Sequence, residues 1–286
     1  MTNNTYKIIR VLNNNVVLAK SSSNNAEAVL VGKGIGFGTK SGQEKTIPDE
    51  AIEKSFITYD EKLKRDYMEL VEQMDETILS MCTEIIIMAE RRLGELNSRL
   101  HIVLTDHIGF ALERIKAGME IYNPFLHEIQ NLYEEEYQVG LIAQEIIEKE
   151  TGITIVEDEV GFIALHLNAA RQHKDVKDTL KSTRLIKDLV TIIEVNLNYK
   201  VDSDLTYSRL IHHLRGSIER VEKGQSVKNP LLETLRKEFK DSFKIAGKVK
   251  VKIEDELDVI VPDDELGYMA IHIDRIRRMS KTPLNN

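Results

Sequence analysis

The spacing of hydrophobic residues changes once along this chain, near residue 60. Before that point, apolar and polar residues alternate over short runs bounded by turn-forming residues, which is typical of β-strands. Strands are predicted at Tyr6–Leu12, Val16–Lys20, Ala26–Val31 and Ile52–Thr58. Because about four short antiparallel strands bury little surface by themselves, we expect two copies of this sheet to pack face to face as a dimer.

From Tyr67 onward the apolar residues recur every three or four positions, which indicates amphipathic helices. Leu70, Met74 and Ile78 form the first such stripe. Further helices are predicted at Leu104–Lys116, Pro124–Glu136, Val139–Glu150, Glu157–Gln172, Thr183–Asn196, Tyr207–Glu222, Pro230–Asp241 and Asp263–Met279. The exception is Val249–Ile260, where valine and lysine alternate, and we expect an altered local structure there.

The helical part of the chain contains a duplication. Leu104–Arg171 aligns with Leu210–Arg277 at a constant offset of 106 residues and without a gap. A repeat of this length indicates two copies of one domain. The predicted fold class is therefore multidomain, with a small antiparallel β domain at residues 1–59 followed by two all-α helical-bundle repeats at residues 66–175 and 176–286.

Both copies carry the same residues at the predicted helix ends. In each copy a glycine is predicted to end one helix, an asparagine to cap the next, and a proline to occupy its first position. These residues are Gly118, Asn123 and Pro124 in the first copy, and Gly224, Asn229 and Pro230 in the second.

Four of the eight histidines lie at matched positions in the two copies. His107 aligns with His213, and His166 aligns with His272. The other four histidines have no counterpart in the other copy; they are His101, His127, His173 and His212. Since the copies have diverged widely and still keep these imidazoles, we expect the four matched histidines to carry the function.

Metal binding and enzymatic catalysis are two chemistries open to these histidines. A metal site needs a retained ligand set, but Asp106, which precedes His107, is replaced by His212 in the second copy. Acid–base catalysis needs a nucleophile or oxyanion donors, and the sequence has no GxSxG, P-loop or Rossmann motif. The glycine-rich run GKGIGFG does not precede a predicted helix.

Phosphorylation on a ring nitrogen is the third chemistry, and it is favoured. Neutral imidazole can act as a nucleophile, and a phosphoryl group adds close to two negative charges. Such a charge at a helical interface can repel or recruit a partner. Arg114 and Arg220 follow His107 and His213 by about two helical turns on the same face, so they are candidate partners for a phosphate.

Charge and composition separate the head from the helical body. Residues 1–47 carry six Lys/Arg and two Glu, a balance of +4; since the whole chain has a net charge of −8, the remainder carries −12. A basic head indicates an anionic ligand. The chain has no apolar run of roughly 18 residues, no signal peptide pattern, and a single cysteine, Cys82, expected to be buried. We therefore expect a cytoplasmic protein without membrane insertion.

Several motifs resemble the BglG/SacY family of transcriptional antiterminators. In the head, KIIRVLNNNVVLA, VLVGKGIGFGTKSG and IEKSF are similar to the family's coantiterminator RNA-binding domain. In the body, LTDHIGFALER and GFIALHLNAAR, and then RLIHHLRGSIER and GYMAIHIDRIR, are similar to its two phosphotransferase-system (PTS) regulation domains. Within the family, the chain most resembles the members that control a glucose permease in Gram-positive bacteria.

The resemblance implies a function and its partners. A homodimer of the head would bind a hairpin in a leader mRNA and so prevent termination ahead of a sugar permease gene. The B domain of the sugar-specific permease and the carrier protein HPr would phosphorylate His107, His166, His213 and His272. Phosphorylation of the first repeat would inactivate, and phosphorylation of the second would stimulate. The resemblance implies neither an enzyme nor a cofactor.

The resemblance also assigns RNA contacts to Arg10, Asn15, Gly32, Lys33 and Phe37. Cationic side chains neutralise phosphates, an amide can read a base edge, and an aromatic ring can stack on an unpaired base. Each residue also has a purely structural interpretation: the asparagines as a hairpin turn, Phe37 as part of the core, and the glycines as bulges. Relatives often have arginine at the position of Lys33, which leaves a forked contact there open.

Two other functional classes remain as alternatives. One is a metal-dependent or carbohydrate-sensing helical enzyme with an accessory β domain. The other is a DNA-binding activator with the same regulatory repeats, which is disfavoured because the head shows no helix-turn-helix pattern.

Overall fold

A computed structural model describes residues 3–52, 54–57, 61–119, 121–201, 204–225 and 227–281. The chain divides into two units. The first comprises Met1–Asn123 and Glu135–Val176, and the second comprises Pro124–Glu134 and Lys177–Asn286. The short segment Pro124–Glu134, which belongs to the first sequence repeat, thus groups with the second unit.

The first unit begins with one antiparallel sheet of five strands. They are β1 (Asn3–Asn13), β2 (Val16–Ser21), β3 (Glu27–Val31), β4 (Glu44–Pro48) and β5 (Lys54–Ile57). The strand order is β4-β1-β2-β3-β5. The prediction of about four strands missed β4, which pairs with β1 at the edge of the sheet. Its sequence EKTIP has a single buried residue, Ile47, so it shows no alternation that a pattern could detect.

Each face of the sheet is covered within the first unit. On one face, Ile8, Val17 and Leu30 pack with Ile35 of the loop that follows β3. On the other face, alternate residues of β2 and β3 pack against helices. Both faces of the sheet are therefore packed within the chain, and the face-to-face dimer stays a prediction.

The helices of the first unit are α1 (Glu61–Gln73), α2 (Glu76–Leu93), α3 (Leu100–Lys116), α5 (Glu134–Thr151) and α6 (Glu157–Arg171). Apolar residues spaced by three or four positions turn one side of each helix inward, as on α2, where Met81, Cys82, Ile85 and Ile86 are buried. The expected burial of Cys82 is confirmed, and this burial raises the pKa of its thiol to about 12.

The second unit is described by six helices. They are α4 (Leu126–Leu132), α7 (Val176–Leu197), α8 (Asp204–Glu222), α9 (Leu232–Glu238), α10 (Lys240–Leu257) and α11 (Asp263–Lys281). Helix α4 is fixed by polar contacts in this unit, since the hydroxyl of Tyr207 donates to Glu128 Oε1 at 2.8 Å. The hydroxyls of Tyr133 and Thr183 lie 3.0 Å apart.

The prediction of an altered structure at Val249–Ile260 was wrong. Helix α10 continues to Leu257 and ends at Asp258, which adopts a left-handed conformation with φ 53°. Val249 and Ile253 are four residues apart and buried on one side of the helix, whereas Val251 points outward. Alternation of valine and lysine therefore hid a helical stripe of period four.

The predicted helix ends were half right. Gly118 and Gly224 have positive φ angles of 72° and 64° where α3 and α8 end, as a terminating glycine requires. Helices α4 and α9, however, begin at Leu126 and Leu232, two residues later than predicted. Asn123 and Asn229 therefore lie three residues before the helices that they were predicted to cap.

Candidate functional site

The structure brings the matched histidines together in pairs. In the first repeat, His107 on α3 and His166 on α6 have ring centroids 4.8 Å apart. In the second repeat, His213 on α8 and His272 on α11 stack at 3.6 Å with an interplanar angle of 22°. One helix pair in each repeat thus presents two imidazoles at one place.

A buried carboxylate joins the first histidine pair to an arginine. Glu159, whose side chain is only 3% exposed, lies 3.3 Å from His107 Nε2 through Oε2 and accepts a 2.6 Å contact from Arg114 Nη2 through Oε1. Burial raises the pKa of Glu159, but the nearby His107 and Arg114 outweigh this effect and lower its pKa below the usual value. Glu159 is therefore an anion that contacts the ring of His107 and the guanidinium of Arg114.

In the second repeat, the carboxylate at the matched position has a different set of partners. Arg220 donates from Nε and Nη2 to the two oxygens of the fully buried Glu265, at 2.9 and 2.7 Å. Its Nη2 also lies 3.1 Å from Ser217 Oγ. Because the arginine occupies both oxygens, His213 has no carboxylate partner equivalent to that of His107 among the described residues.

The neighbouring acid in each repeat holds a loop. Asp158 Oδ1 accepts a 2.6 Å hydrogen bond from the backbone N–H of Asn123, and Asp264 accepts the equivalent bond from Asn229 at 2.9 Å. The matched Asp-Glu pair therefore has two roles, one carboxylate for a loop and one for an arginine. The asparagine side chains differ between the repeats: Asn123 Nδ2 lies 3.4 Å from the carbonyl oxygen of Asp158, whereas Asn229 Oδ1 accepts from the N–H of Leu231 at 3.1 Å, a bond of the helix-capping type.

Three of the four paired histidines have pKa values below the usual value, which favours their neutral form. Burial and the neighbouring His107 lower the pKa of His166 to about 3. Burial, His213 and Arg275 lower the pKa of His272 to about 4. Burial, with His212 and Arg220 nearby, also lowers the pKa of His213. A neutral ring keeps one unprotonated nitrogen, which nucleophilic attack requires.

An acidic cleft of about 510 Å³ opens beside His107 and His166. It lies between α1 and α3. Its charged lining consists of Asp66 and Glu69 from α1 and Asp106 from α3, with the exposed Phe110 at its edge. A cleft of about 270 Å³ beside His213 and His272 is lined instead by Arg220, with Ser217 and Tyr268. The two histidine pairs thus face cavities of opposite charge.

No group of three or more His, Cys, Asp or Glu side chains able to hold a metal ion occurs among the residues described. Asp106, the acidic neighbour of His107, points outward and is exposed. Across the described part of the chain, no helix has both the length and the apolar character needed to cross a membrane.

Residues of the expected RNA-binding surface meet at one end of the sheet. Asn15 lies in the β1–β2 turn, where its backbone N–H donates to Asn13 Oδ1 at 2.8 Å. Its own Oδ1 accepts from the N–H of Gly34 at 2.8 Å, which ties the turn to the glycine-rich loop. Lys33 and Phe37 project from this loop, and Phe37 is 75% exposed. The alternative that Phe37 forms part of the core does not hold.

Close backbone packing explains two glycines of this loop. A Cβ atom on Gly32 would lie 2.0 Å from the carbonyl oxygen of Ala51, and one on Gly36 would lie 2.0 Å from that of Asn13. Gly36 also donates its N–H to the carbonyl of Asn14 at 2.8 Å. The loop is therefore held against the hairpin turn by its backbone, and its exposed side chains are free to contact a ligand.

Arg10 differs from the other expected RNA-binding residues because its side chain contacts helix α1. Its Nη2 is 2.5 Å from Glu72 Oε1 on α1, and both side chains are about half exposed. A second link joins the turn to the helices, because the N–H of Asn14 donates to Glu76 Oε1 at 2.9 Å. Sequence reasoning did not identify Glu72, Asp66 or Glu69, since these acids precede the aligned segment Leu104–Arg171.

Two protein families match the chain in the predicted order. The CAT RNA binding domain matches residues 6–65. The PRD domain matches twice, at residues 83–170 and 187–276.

Relatives with the same organisation are similar over nearly the whole chain. An antiterminator of the glcA and glcB genes from Staphylococcus carnosus is 34% identical over 286 residues, covering 98% of this chain and 99% of the relative. The PtsGHI operon antiterminator of Bacillus subtilis is 36% identical over 278 residues, or 96% and 98% of the two chains. The transcription antiterminator LicT of Bacillus subtilis is 30% identical over 275 residues, or 94% and 98%.

A solved structure is similar to the N-terminal part. The crystal structure of GlcT CAT-PRDI has a TM-score of 0.54 and 38% sequence identity, and the match covers 58% of this chain and 98% of that one.

Proposed function

Because the chain belongs to the family of transcription antiterminators that join a CAT RNA-binding domain to two PRD domains, we propose that it binds a leader-mRNA hairpin as a homodimer and prevents termination ahead of a glucose permease gene. The relatives named for glucose and PtsGHI genes support this choice of target. The family consists of RNA-binding regulators, and this chain is accordingly not an enzyme. Its place of action is the cytoplasm, where leader transcripts are made.

The exposed loop of the head supplies the RNA-binding chemistry. Phe37 offers a free ring on which an unpaired base can stack, and Lys33 beside it can neutralise a phosphate. The oxygen of the Asn15 amide is engaged by Gly34, so its Nδ2 group is the part left to donate to a base edge. Gly32 keeps the loop against the sheet, and Arg10 can add a second phosphate contact.

The retained imidazole pairs are the observation that carries the regulatory half of this proposal. His107, His166, His213 and His272 are the phosphoryl acceptors, and the donors are HPr and the B domain of a sugar permease. The lone pair of the unprotonated ring nitrogen attacks phosphorus. The bond from phosphorus to the donor's histidine nitrogen or cysteine sulfur breaks, its electron pair stays with the donor, and the proton released from the acceptor ring neutralises the charge.

The local structure suits this transfer in two ways. Low pKa values keep His166 and His272 in the neutral form. Glu159 contacts Nε2 of His107 and favours the tautomer with its proton there, which directs the lone pair to Nδ1. In the second repeat, the guanidinium of Arg220 lies at the same cleft as His213 and His272.

Two measurements on the full chain test the proposal. The protein is incubated with labelled phosphoenolpyruvate, the general PTS enzymes and the permease B domain, and the labelled residues are mapped. Binding to the leader hairpin is compared with binding to a hairpin of shuffled sequence. We expect label on the matched histidines and preference for the leader hairpin. Absence of label on all four histidines, or equal binding of both RNAs, contradicts the proposal.

A further inference from the structure

Helix α1 contacts both the RNA-binding sheet and the cleft at His107. On one side, its buried residues Tyr67 and Val71 pack against the sheet. The sheet residues in this cluster are Val16, Leu18, Val29 and Val31. The apolar contact is continuous with the hairpin of β2 and β3, so any displacement of α1 uncovers one face of the head.

On its other side, α1 lines the cleft with charge. Asp66 and Glu69 contribute to the wall that faces His107 and His166. Neither is buried, so neither is needed for the apolar packing of the helix. Arg114 is paired with Glu159, and no lysine or arginine occurs among the described residues that line the cleft.

A phosphoryl group on His107 meets an environment that is already negative. It adds close to two negative charges to a cleft that holds Asp66, Glu69 and Asp106. Like charges that line one cleft repel each other, and because Glu69 and Asp106 are exposed, this repulsion decreases as salt is added. Of these carboxylates, those on α1 belong to an element that can move away from α3.

The second repeat shows the opposite arrangement. The described residues lining the cleft at His213 and His272 include Arg220 and no aspartate or glutamate. A phosphoryl group in the second repeat therefore meets no carboxylate among the described lining residues, whereas one in the first repeat meets Asp66, Glu69 and Asp106. This contrast links the response of the first repeat to α1.

We propose that Asp66 and Glu69 sense the phosphorylation of His107, and that their repulsion by the phosphoryl group displaces α1 from the sheet and thereby weakens RNA binding. This inference rests on the proposed function. Displacement of α1 exposes Val29 and Val31, so it changes the packing of the head as a whole.

The test removes the two charges and keeps the helix. The full chain carrying Asp66→Asn with Glu69→Gln is compared with the unaltered chain, called the parent. Each of the two is prepared both with His107 and with His107→Asp. In the parent, His107→Asp is expected to weaken binding to the leader hairpin by about tenfold, which is within the usual range of coupling between two sites. In the variant with Asp66→Asn and Glu69→Gln, His107→Asp is expected to reduce affinity for the leader hairpin by less than about twofold. Phosphorylated and unphosphorylated protein are compared in the same way.

A matched control removes two charges from the same unit. Glu84 on α2 and Glu145 on α5 are exposed, and neither lines the cleft. The pair Glu84→Gln with Glu145→Gln is expected to leave the full tenfold effect of His107→Asp. A loss of the effect in this control would assign it to net charge and overturn the role of α1.

Fluorescence gives a second readout of α1 itself. The chain has no tryptophan, so Tyr67→Trp places a single reporter against the sheet. Phosphorylation is expected to shift its emission to longer wavelength in the parent but not in the variant with Asp66→Asn and Glu69→Gln. If His107→Asp weakens RNA binding equally with and without Asp66 and Glu69, these two residues do not sense the phosphorylation, while the proposed function stands. If donors never label His107 and His107→Asp has no effect in the parent, the proposed function fails first.

Discussion

His213 and His272 stack at 3.6 Å, closer than the 4.8 Å that separates His107 and His166. At such distances two imidazolium rings would repel each other, and burial adds to the cost of charging them. In each pair the ring on the later helix is therefore neutral over a wide range of pH. This neutrality affects both the chemistry of phosphorylation and the stability of the protein.

The low pKa of His166 predicts a loss of stability in acid. Its pKa is about 3 in the folded chain and near 6.5 when exposed, so the unfolded state binds the proton more tightly. The stability is fully present above about pH 6.5 and declines as the pH falls toward 3. From pH 7 to pH 5 the contribution lost is up to about 2 kcal/mol.

Urea unfolding at both pH values measures this loss. His166→Gln is expected to flatten the pH dependence, whereas His173→Asn, at an exposed histidine with a positive φ angle that asparagine tolerates, is expected to leave it unchanged. An equally steep pH dependence in His166→Gln would rule out this origin of the acid sensitivity.

Removal of Arg114 should destabilise the first repeat more than removal of the whole ion pair. Arg114→Met leaves the 3%-exposed carboxylate of Glu159 with His107 alone, and loss of one partner of a buried pair costs about 3–5 kcal/mol. Arg114→Met combined with Glu159→Gln is expected to cost less, because no buried charge remains. Denaturant unfolding of the two single variants and the double variant tests this order, and additive losses would contradict it.

Phe37→Ala should weaken RNA binding without changing stability. The ring is exposed, and base stacking on an aromatic side chain contributes about 1–3 kcal/mol. Affinity for the leader hairpin is therefore expected to fall by about tenfold or more. Tyr122→Ala removes another exposed ring, in the helical body, and should leave affinity unchanged. Equal effects of the two variants in a mobility-shift titration would remove Phe37 from the RNA surface.

Two glycine substitutions should shift stability in opposite directions. Gly36→Ala places a Cβ atom 2.0 Å from a backbone oxygen and is expected to cost about 1–3 kcal/mol. Gly247→Ala, within α10, meets nothing within 4 Å and should stabilise by about 0.5–1 kcal/mol through helix propensity. Thermal unfolding compares them, and a neutral Gly36→Ala would show that the loop is not held closely against Asn13.

Glu72→Gln should raise affinity for RNA. Glu72 competes with phosphates for Arg10, but the pair is half exposed, and such pairs contribute about 0.2–1 kcal/mol. The expected gain is therefore modest, at most about fivefold, and it should decrease as salt is added. Glu84→Gln is the control, because it removes the charge of another exposed acid, on α2. Unchanged affinity in Glu72→Gln would mean that Arg10 takes no part in binding.

The sequence predicted the structure correctly where a residue type has a single structural or chemical explanation. The offset of 106 residues led directly to the paired histidines, and Gly118 and Gly224 end their helices as predicted. The same alignment contained Glu159 and Glu265, but not their roles, because the partner of each acid is set by packing between helices that are distant in sequence. Alternation in Val249–Ile260 was misleading because only every second valine or isoleucine is buried there.

The sequence pattern could not identify the acids on α1 for a different reason. Asp66 and Glu69 have the ordinary composition of an exposed helix, and only the fold places them beside His107. Strand β4 was missed because an edge strand needs no alternating face.

The placement of α4 limits where this protein can be cut. A truncation after residue 175 follows the sequence repeat, yet it removes Tyr207 from Glu128 and Thr183 from Tyr133. The fully buried Ile129 then loses its surroundings as well. In any shortened version that ends there, the apolar side of α4 lacks its packing partners and can be covered by another molecule. Self-association of such a fragment in solution is therefore a consequence of the truncation and not a property of the native chain.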